Sequence, residues 1–141
     1  MQKISFLTAL FAILLAGCAQ LPPSPQDLQA KKFEVAPGRA AIYIVRASMD
    51  SSEVGTLLLD DAVPLSTFRN SYHRWEVAPG RHRIAGFGQE QAVITLETEP
   101  GKLYFVEHTV MGTPHTGPTY TYLHRIDEQR GRARVMESRS N

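Results

Sequence analysis

The chain has 141 residues, and its 15 lysines and arginines against 14 acidic residues give a formal net charge of +1. This length suits one modest domain with a single core rather than two. Balanced charge gives no support for wholesale binding of nucleic acid or of an anionic membrane face, because both favour concentrated positive charge. The single cysteine excludes a disulfide framework and a cysteine-based zinc site within the chain.

Residues 1–17 have the parts of a bacterial lipoprotein signal peptide. Lys3 supplies the charged region, and the apolar run over residues 4–15 is shorter than the roughly 20 residues that a membrane-spanning helix needs. The tetrad Leu15-Ala16-Gly17-Cys18 resembles a lipobox. That resemblance implies that a signal peptidase recognises Leu15, Ala16 and Gly17 and cuts before the cysteine. The alternatives are an ordinary cleaved signal, or a buried helix that ends at a chance cysteine.

The same resemblance implies that Cys18 carries covalent lipid. In proteins with a lipobox, a diacylglycerol is attached to the cysteine sulfur, and a fatty acid such as palmitate often acylates the new amine. Two or more acyl chains anchor a protein stably, at about 0.8 kcal/mol per buried methylene. Ala19 and Gln20 follow, where an aspartate would favour retention in the inner membrane. For a Gram-negative source we therefore expect a cell-envelope protein on the outer membrane that faces the periplasm.

Residues 18–32 are predicted to be the lipidated cysteine and a flexible tether. Pro22, Pro23 and Pro25 oppose both helix and sheet and favour an extended spacer. Such a spacer could reach roughly 40 Å, at about 3.1 Å per residue, so we expect the domain to stand clear of the lipid. A short helix over residues 24–32 is the alternative, with Ser24 as its cap.

Residues 33–141 predict an all-β domain, a single antiparallel β-sandwich of about 7 to 9 strands. Runs rich in Val, Ile, Tyr, Phe and Thr alternate there with Gly and Pro. The predicted strands cover residues 40–47, 55–60, 62–67, 71–77, 82–87, 92–97, 103–110 and 119–126, with a ninth at 132–137. Asp60-Asp61 is predicted to form a hairpin tip. Alternation along residues 103–110 gives both strand faces apolar side chains, which is typical of a central strand.

A turn motif recurs along this domain. Pro37-Gly38, Pro79-Gly80 and Pro100-Gly101 each favour a type II turn, in which glycine takes the positive φ. With the strands around them, they are similar to the DUF2846 family, a group of bacterial, often lipid-anchored β-sandwich domains of unassigned function. Residues 75–84 also resemble a PEGA-type β module. The resemblance implies fold and location, and brings no catalytic residue.

Candidate functional residues are few. Tyr120 and Tyr122 are predicted to share a strand face that, with His115 in the loop over residues 111–118, forms a binding surface. Cross-strand pairing is the alternative. His108 and His124 are the histidines that we expect to face each other, but we predict no metal site and no cofactor.

The predicted role is non-enzymatic. Ser66, Ser71, His73 and Asp61 supply residue types for acyl transfer, but no nucleophile elbow surrounds either serine, so we expect no catalytic residue. Four arginines in the tail favour a solvated edge strand over contact with anionic envelope polymers; they are Arg130, Arg132, Arg134 and Arg139. We expect a structural or protein-interaction role with an envelope protein partner and no nucleic acid. The alternative is a periplasm-facing ligand-binding or envelope-sensing module.

Overall fold

A computed structural model describes residues 22–87, 92–112 and 120–141. The fold in those residues is mostly β, with nine strands and two short helices. The helices are α1 (Pro25–Ala30) and α2 (Glu128–Glu137). The strands are β1 (Ala40–Val45), β2 (Gly55–Leu59), β3 (Val63–Thr67), β4 (Ser71–Val77), β5 (Gly80–Gly86), β6 (Val93–Thr98), β7 (Leu103–Met111), β8 (Tyr120–Ile126) and β9 (Arg139–Ser140).

The strands form two sheets. A five-stranded sheet has the order β8-β7-β1-β4-β9, and a four-stranded sheet has the order β3-β2-β5-β6. The first sheet is mixed, because β1 runs parallel to β7 and β4 runs parallel to β9. The prediction of a purely antiparallel arrangement is therefore wrong for this sheet. Alternating side chains do not reveal which distant strand becomes a neighbour, so strand direction was not readable from the pattern.

Eight of the predicted strands are confirmed with small shifts at their ends. Asp60 and Asp61 form the predicted hairpin tip between β2 and β3, with φ angles of 48° and 57°. Two successive positive φ values are typical of a type I′ turn, whose twist matches that of the flanking strands. Ala62 N–H closes this turn on the Leu59 carbonyl at 3.1 Å.

The repeated Pro-Gly turns are confirmed in two of their three copies. Gly38 and Gly101 have φ angles of 73° and 74°, as a type II turn requires. Gly80 differs, with a φ of 136°, because it already pairs with Thr98 at the start of β5. The Thr98 hydroxyl lies 3.3 Å from the Ala78 carbonyl, which therefore has a side-chain partner in place of a turn hydrogen bond.

Both sheets contribute to one apolar cluster. Its buried members come from β1, β2, β4, β5, β6 and β7. They are Ala40, Ile42, Ile44, Leu57, Leu59, Val77, Ile84, Leu96, Tyr104 and Val106. Burying side chains of this size stabilises a fold by about 1.5–3 kcal/mol each before chain entropy is counted.

A second apolar cluster lies on the opposite face of the five-stranded sheet. Tyr43, Tyr72 and Phe105 are buried there beneath the two helices, in contact with Ala30 of α1 and Val135 of α2. The Tyr43 and Phe105 rings stack with centroids 5.2 Å apart. Phe105 and Tyr104 thus serve opposite faces of β7, which confirms the prediction of a strand that is apolar on both sides.

Helix α1 begins where the sequence analysis placed its alternative helix. The Ser24 side chain caps it by accepting a hydrogen bond from Asp27 N–H at 3.1 Å, and Pro25 occupies the first turn. Tyr43 Oη donates to the Ala30 carbonyl, and Tyr72 Oη donates to the Asp27 carboxylate, each at 2.7 Å. Residues 25–30 are therefore part of the packed domain, which corrects their assignment to the flexible tether.

Helix α2 replaces the predicted edge strand at 132–137. Asp127 caps the helix by accepting from Arg130 N–H at 2.8 Å. Gly131 and Val135 are its buried residues, and a Cβ at Gly131 would overlap the Phe105 ring. The missing side chain at Gly131 thus allows the helix to lie against β7. The prediction of a solvated edge strand for the tail arginines is wrong, because three of them lie on this helix.

Candidate functional site

Large exposed apolar side chains are concentrated at one end of the two sheets. This is the end where β1, β3, β5 and β7 finish and where the other strands start. We call it the apolar end, defined by Met49, Val54, Phe68, Phe87, Val93, Met111 and Tyr120. Met49 is 94% exposed and Phe87 is 66% exposed. Among the described residues, the other large exposed apolar side chains are Leu28, Val63 and Met136.

Arg46 organises the loop that carries Met49 and Val54. Its side chain is 1% exposed, and its Nε donates to the Asp50 carboxylate at 2.9 Å. The guanidinium Nη atoms donate to the carbonyls of Ser51, Glu53 and Thr67 at 2.7–3.0 Å. A planar fork of five donors suits this set of acceptors, and a buried cation needs such partners. One side chain therefore ties residues 50–53 to the end of β3.

Asp50 completes this polar cluster. Both of its carboxylate oxygens lie 3.2 Å from Val110 N–H on β7, and one accepts from Ser51 N–H at 2.7 Å. The carboxylate thus links the loop over residues 46–54 to the five-stranded sheet, while Arg46 links it to the four-stranded sheet. The ion pair is structural in form, because the hydrogen bonds of the Arg46 and Asp50 side chains either join the two or go to backbone groups.

His108 lies beside this cluster and is fully buried. Its Nδ1 lies 2.9 Å from Thr67 Oγ1, which in turn lies 3.3 Å from the Gly55 carbonyl. These contacts suit a neutral ring with the proton on Nδ1, because the threonine hydroxyl can then donate to the carbonyl. Nε2 has no hydrogen-bond partner among the described residues. Burial, reinforced by the nearby Arg46 charge, lowers the pKa of His108 to about 4, so the ring is neutral near pH 7.

Two open grooves meet at Val110 on the apolar end. One groove has a volume of about 450 Å³, and Met49, Asp50, Ser51 and Met111 are among the residues that line it. The other, of about 250 Å³, is lined by Val54, Phe87 and Thr121 among others. Both grooves are surface depressions rather than enclosed cavities. The larger groove offers mainly apolar contact, and the two grooves contain few groups that could act as acid, base or nucleophile.

The predicted binding surface is only partly described. Tyr120 and Tyr122 lie on β8 and share a face, as the alternation indicated, but neither lines the two grooves. Tyr120 pairs with Met111, and Tyr122 pairs with Thr109, so both take part in cross-strand pairing. His115 and residues 113–118 of the predicted loop lie outside the described residues. So do Cys18 and the recognition residues Leu15, Ala16 and Gly17.

His108 and His124 do not face each other. The register of β7 and β8 places His108 opposite Leu123, and His124 opposite Glu107. His108 points towards the other sheet, whereas His124 lies on the outer face with its Nε2 3.3 Å from the Glu107 carboxylate. A register one residue away from the expected one moves a side chain to the other face of a sheet. Within the described parts of the chain, no group of three or more His, Cys, Asp or Glu side chains is arranged to hold a metal ion.

Glu107 binds the arginines of α2 to the sheet. Its side chain is 8% exposed, and both carboxylate oxygens accept from Arg130, at 2.9 and 3.2 Å. Arg134 Nε lies 3.4 Å from the same carboxylate. Arg132 instead pairs with Glu128 and lies over the Phe33 ring at 4.4 Å. The three tail arginines on α2 are therefore used within the domain, which leaves little of their charge for an anionic polymer.

The opposite end of the sheets is closed by short turns and charged pairs. We call it the turn end, defined by the turns at residues 60–61, 78–80 and 99–102. Asp60 accepts from Arg83 N–H at 2.8 Å and lies 2.7 Å from His82 Nδ1, and Asp61 pairs with the Arg83 guanidinium. Arg81 and Glu97 add a cross-strand pair at 2.8 Å. These groups are polar and, apart from His82, substantially exposed, in contrast to the apolar end.

No protein-family model matches the sequence, and comparison with curated proteins finds no match. The resemblance to the DUF2846 family therefore stays a prediction. Among the helices that the structure describes, none is both long and apolar enough to cross a membrane.

Proposed function

We propose that the chain is a lipid-anchored cell-envelope lipoprotein whose domain is a β-sandwich with a non-enzymatic structural or protein-interaction role. The observation that carries the proposal is the tetrad Leu15-Ala16-Gly17-Cys18 at the end of a short apolar run. Diacylglycerol on Cys18 would hold the protein to the membrane through covalent lipid. With Ala19 and Gln20 after the cysteine, the outer membrane facing the periplasm is the location we propose for a Gram-negative source.

The sandwich arrangement is supported by the cluster that both sheets share. Side chains that alternate along β1 and β7 contact side chains from β2 and β5, as they do when two sheets pack face to face. The outer face of the five-stranded sheet is filled in turn by Ala30 and Val135 from the helices. Packing of the two sheets face to face agrees with the β-sandwich fold that the resemblance to the DUF2846 family implies.

A non-enzymatic role is supported by how the polar groups of the described residues are used. Ion pairs and hydrogen bonds that hold a loop and a helix in place engage the side chains of Arg46, Asp50 and Glu107. The neutral His108 is fully buried and lines neither of the two grooves at the apolar end. Catalysis needs titratable groups that converge on an open cleft.

Replacing Cys18 with serine tests the anchor. We expect Cys18→Ser to abolish the incorporation of radiolabelled fatty acid and to leave an uncut precursor, because a hydroxyl does not accept the diacylglycerol in place of the thiol. Gln20→Ser is the matched control, since it changes the same stretch outside the tetrad and should be labelled and cut normally. Label on the Cys18→Ser chain would refute lipid attachment at this residue.

A ligand-binding or envelope-sensing module is the second candidate, and the two grooves that meet at Val110 favour it. Photo-crosslinking in intact cells separates the two roles. A crosslinker at Tyr122 that repeatedly captures one envelope protein, with no capture from the turn-end residue Val63, supports the interaction role. Capture of a small molecule other than a membrane lipid from Met111 instead supports the ligand-binding role.

A further inference from the structure

The packed domain begins close to the predicted lipid attachment site. Pro22 and Pro23 already line a groove with Met136 and Arg139, and the Ser24 cap of α1 follows at once. Four peptide units separate Cys18 from Pro22, which is at most about 14 Å of extended chain. The 40 Å spacer predicted from the sequence would need residues up to 32 to be extended, but residues 25–30 form a helix that is packed against the sheet. A lipid at Cys18 would therefore hold the domain close to the bilayer.

The chain enters the domain at the same end where the apolar side chains are exposed. Arg139, which lines the groove with Pro22, donates its N–H to the Asn70 carbonyl at 3.2 Å. Asn70 N–H in turn lies 3.4 Å from the Ala47 carbonyl, and Ala47 lines the groove that holds Met49. This series of contacts joins Pro22 to the apolar end, and the strand directions place the turn end on the far side.

The chemistry of the apolar end suits a lipid surface. Met49, Phe68, Phe87 and Met111 project from loops and strand ends and are 49–94% exposed. Arg69 and Arg139 are exposed at the same end, where guanidinium groups can bind lipid phosphates. The acidic Asp50 is already paired with Arg46. Peripheral segments of this kind bury apolar side chains about 5–10 Å into the headgroup region.

We propose that the apolar end lies against the bilayer that holds Cys18, with Met49, Phe87 and Met111 in the headgroup region and the turn end facing the aqueous compartment. This inference rests on the proposed lipid anchor. It adds an orientation to that anchor, since a lipidated protein on a long tether would have none.

Depth-dependent fluorescence quenching tests the orientation. Since Cys18 would be lipidated, a cysteine introduced elsewhere would be the one free thiol of the mature chain. The lipidated full chain carrying Met49→Cys is labelled with an environment-sensitive fluorophore and added to vesicles of phosphatidylethanolamine and phosphatidylglycerol that contain spin-labelled lipid. Val63→Cys, at a similarly apolar but opposite position beside the turn at residues 60–61, is the matched control. We expect quenching of about twofold or more at residue 49 and none at residue 63.

The outcomes separate the inference from the anchor. Chains that float with the vesicles but show no quenching at either position would keep the anchor and overturn the orientation. Equal quenching at both positions would also overturn it, since the domain would then have no preferred end at the membrane. Chains that do not float, with Cys18 found unmodified by mass spectrometry, would remove the anchor and the orientation together.

Discussion

The apolar end and the turn end of the sheets are held together in different ways. At the turn end, short loops follow turn chemistry, and exposed pairs such as Arg81 with Glu97 join neighbouring strands. At the apolar end, the loop over residues 46–54 folds around one buried cation, Arg46, while Met49 and Val54 face outward. The inside of this loop is thus polar, while its outside exposes two large apolar side chains, the opposite of the usual distribution in a surface loop.

This difference shows that the two ends of the domain are stabilised by different interactions. Exposed ion pairs contribute little, so the turn end depends on its backbone conformation for order. A buried ion pair costs desolvation, and removing one partner leaves a charge without compensation. At the apolar end the exposed side chains of Met49 and Val54 are therefore held in place by the polar groups inside their loop.

The largest expected effect is at Arg46. We expect Arg46→Met to lower the free energy of unfolding by about 3–5 kcal/mol, because it leaves the Asp50 carboxylate and three carbonyls without their donor. Urea unfolding followed by circular dichroism measures the change. Arg83→Met at the turn end is the matched control, and we expect a loss of at most about 1 kcal/mol, since its pair with Asp61 is exposed.

Equal losses for the two variants would contradict the contrast between the ends. The double variant Arg46→Met/Asp50→Leu sharpens the test, because it removes both charges at once. If the cost arises from an uncompensated carboxylate, this double variant should be more stable than Arg46→Met alone.

Lowering the pH should weaken the apolar end next. In the folded chain burial holds the pKa of His108 at about 4, whereas an unfolded histidine has a pKa near 6.5. At pH 7 the His108 ring is neutral in both the folded and the unfolded chain, so its titration does not lower the free energy of unfolding there. As the pH falls from about 6.5 towards 4, the unfolded chain binds a proton that the folded chain does not. We expect the free energy of unfolding to fall by about 2 kcal/mol between pH 7 and pH 5.

His108→Gln is the variant that assigns this pH dependence. It should be less stable than the parent at pH 7 but should lose most of the slope between pH 7 and pH 5. Burial also lowers the pKa of His73, so that histidine adds a smaller change of the same sign. His73→Gln should therefore retain most of the slope. If it instead abolishes the slope, His108 is not the group responsible.

Much of the fold was readable from the sequence, because its strands follow local rules. Gly-Pro punctuation and alternation marked the eight strands from β1 to β8, and the acidic pair Asp60-Asp61 marked the tight hairpin. Helix α2 was missed for a physical reason. Its only buried residues are Gly131 and Val135, so it lacks the apolar stripe that identifies a helix. Arg130 gains its ion-pair partner only when the helix lies over Glu107 of β7.

The candidate site was less readable. An arginine directly after the apolar strand β1 reads as a solvated residue, and nothing in the local pattern shows that carbonyls from three separate positions converge on Arg46. The tyrosines of β8 stood out by composition, but they belong to cross-strand pairs. The signal that was available is Met49, a large apolar residue outside the predicted strands, together with Phe87 at the end of one, since exposed apolar side chains grouped at one end of a domain mark a contact surface.

The smallest expected effect is at the turn end, where it measures what backbone conformation contributes. Asp60 has a φ of 48° and accepts from Arg83 N–H. We expect Asp60→Ala to lower the free energy of unfolding by about 1 kcal/mol, because alanine tolerates a left-handed conformation less well and offers no acceptor. Asp60→Asn should cost less than half as much, since asparagine tolerates this conformation and keeps an oxygen for Arg83 N–H. Equal losses in urea unfolding would mean that the negative charge, rather than the turn, stabilises this end.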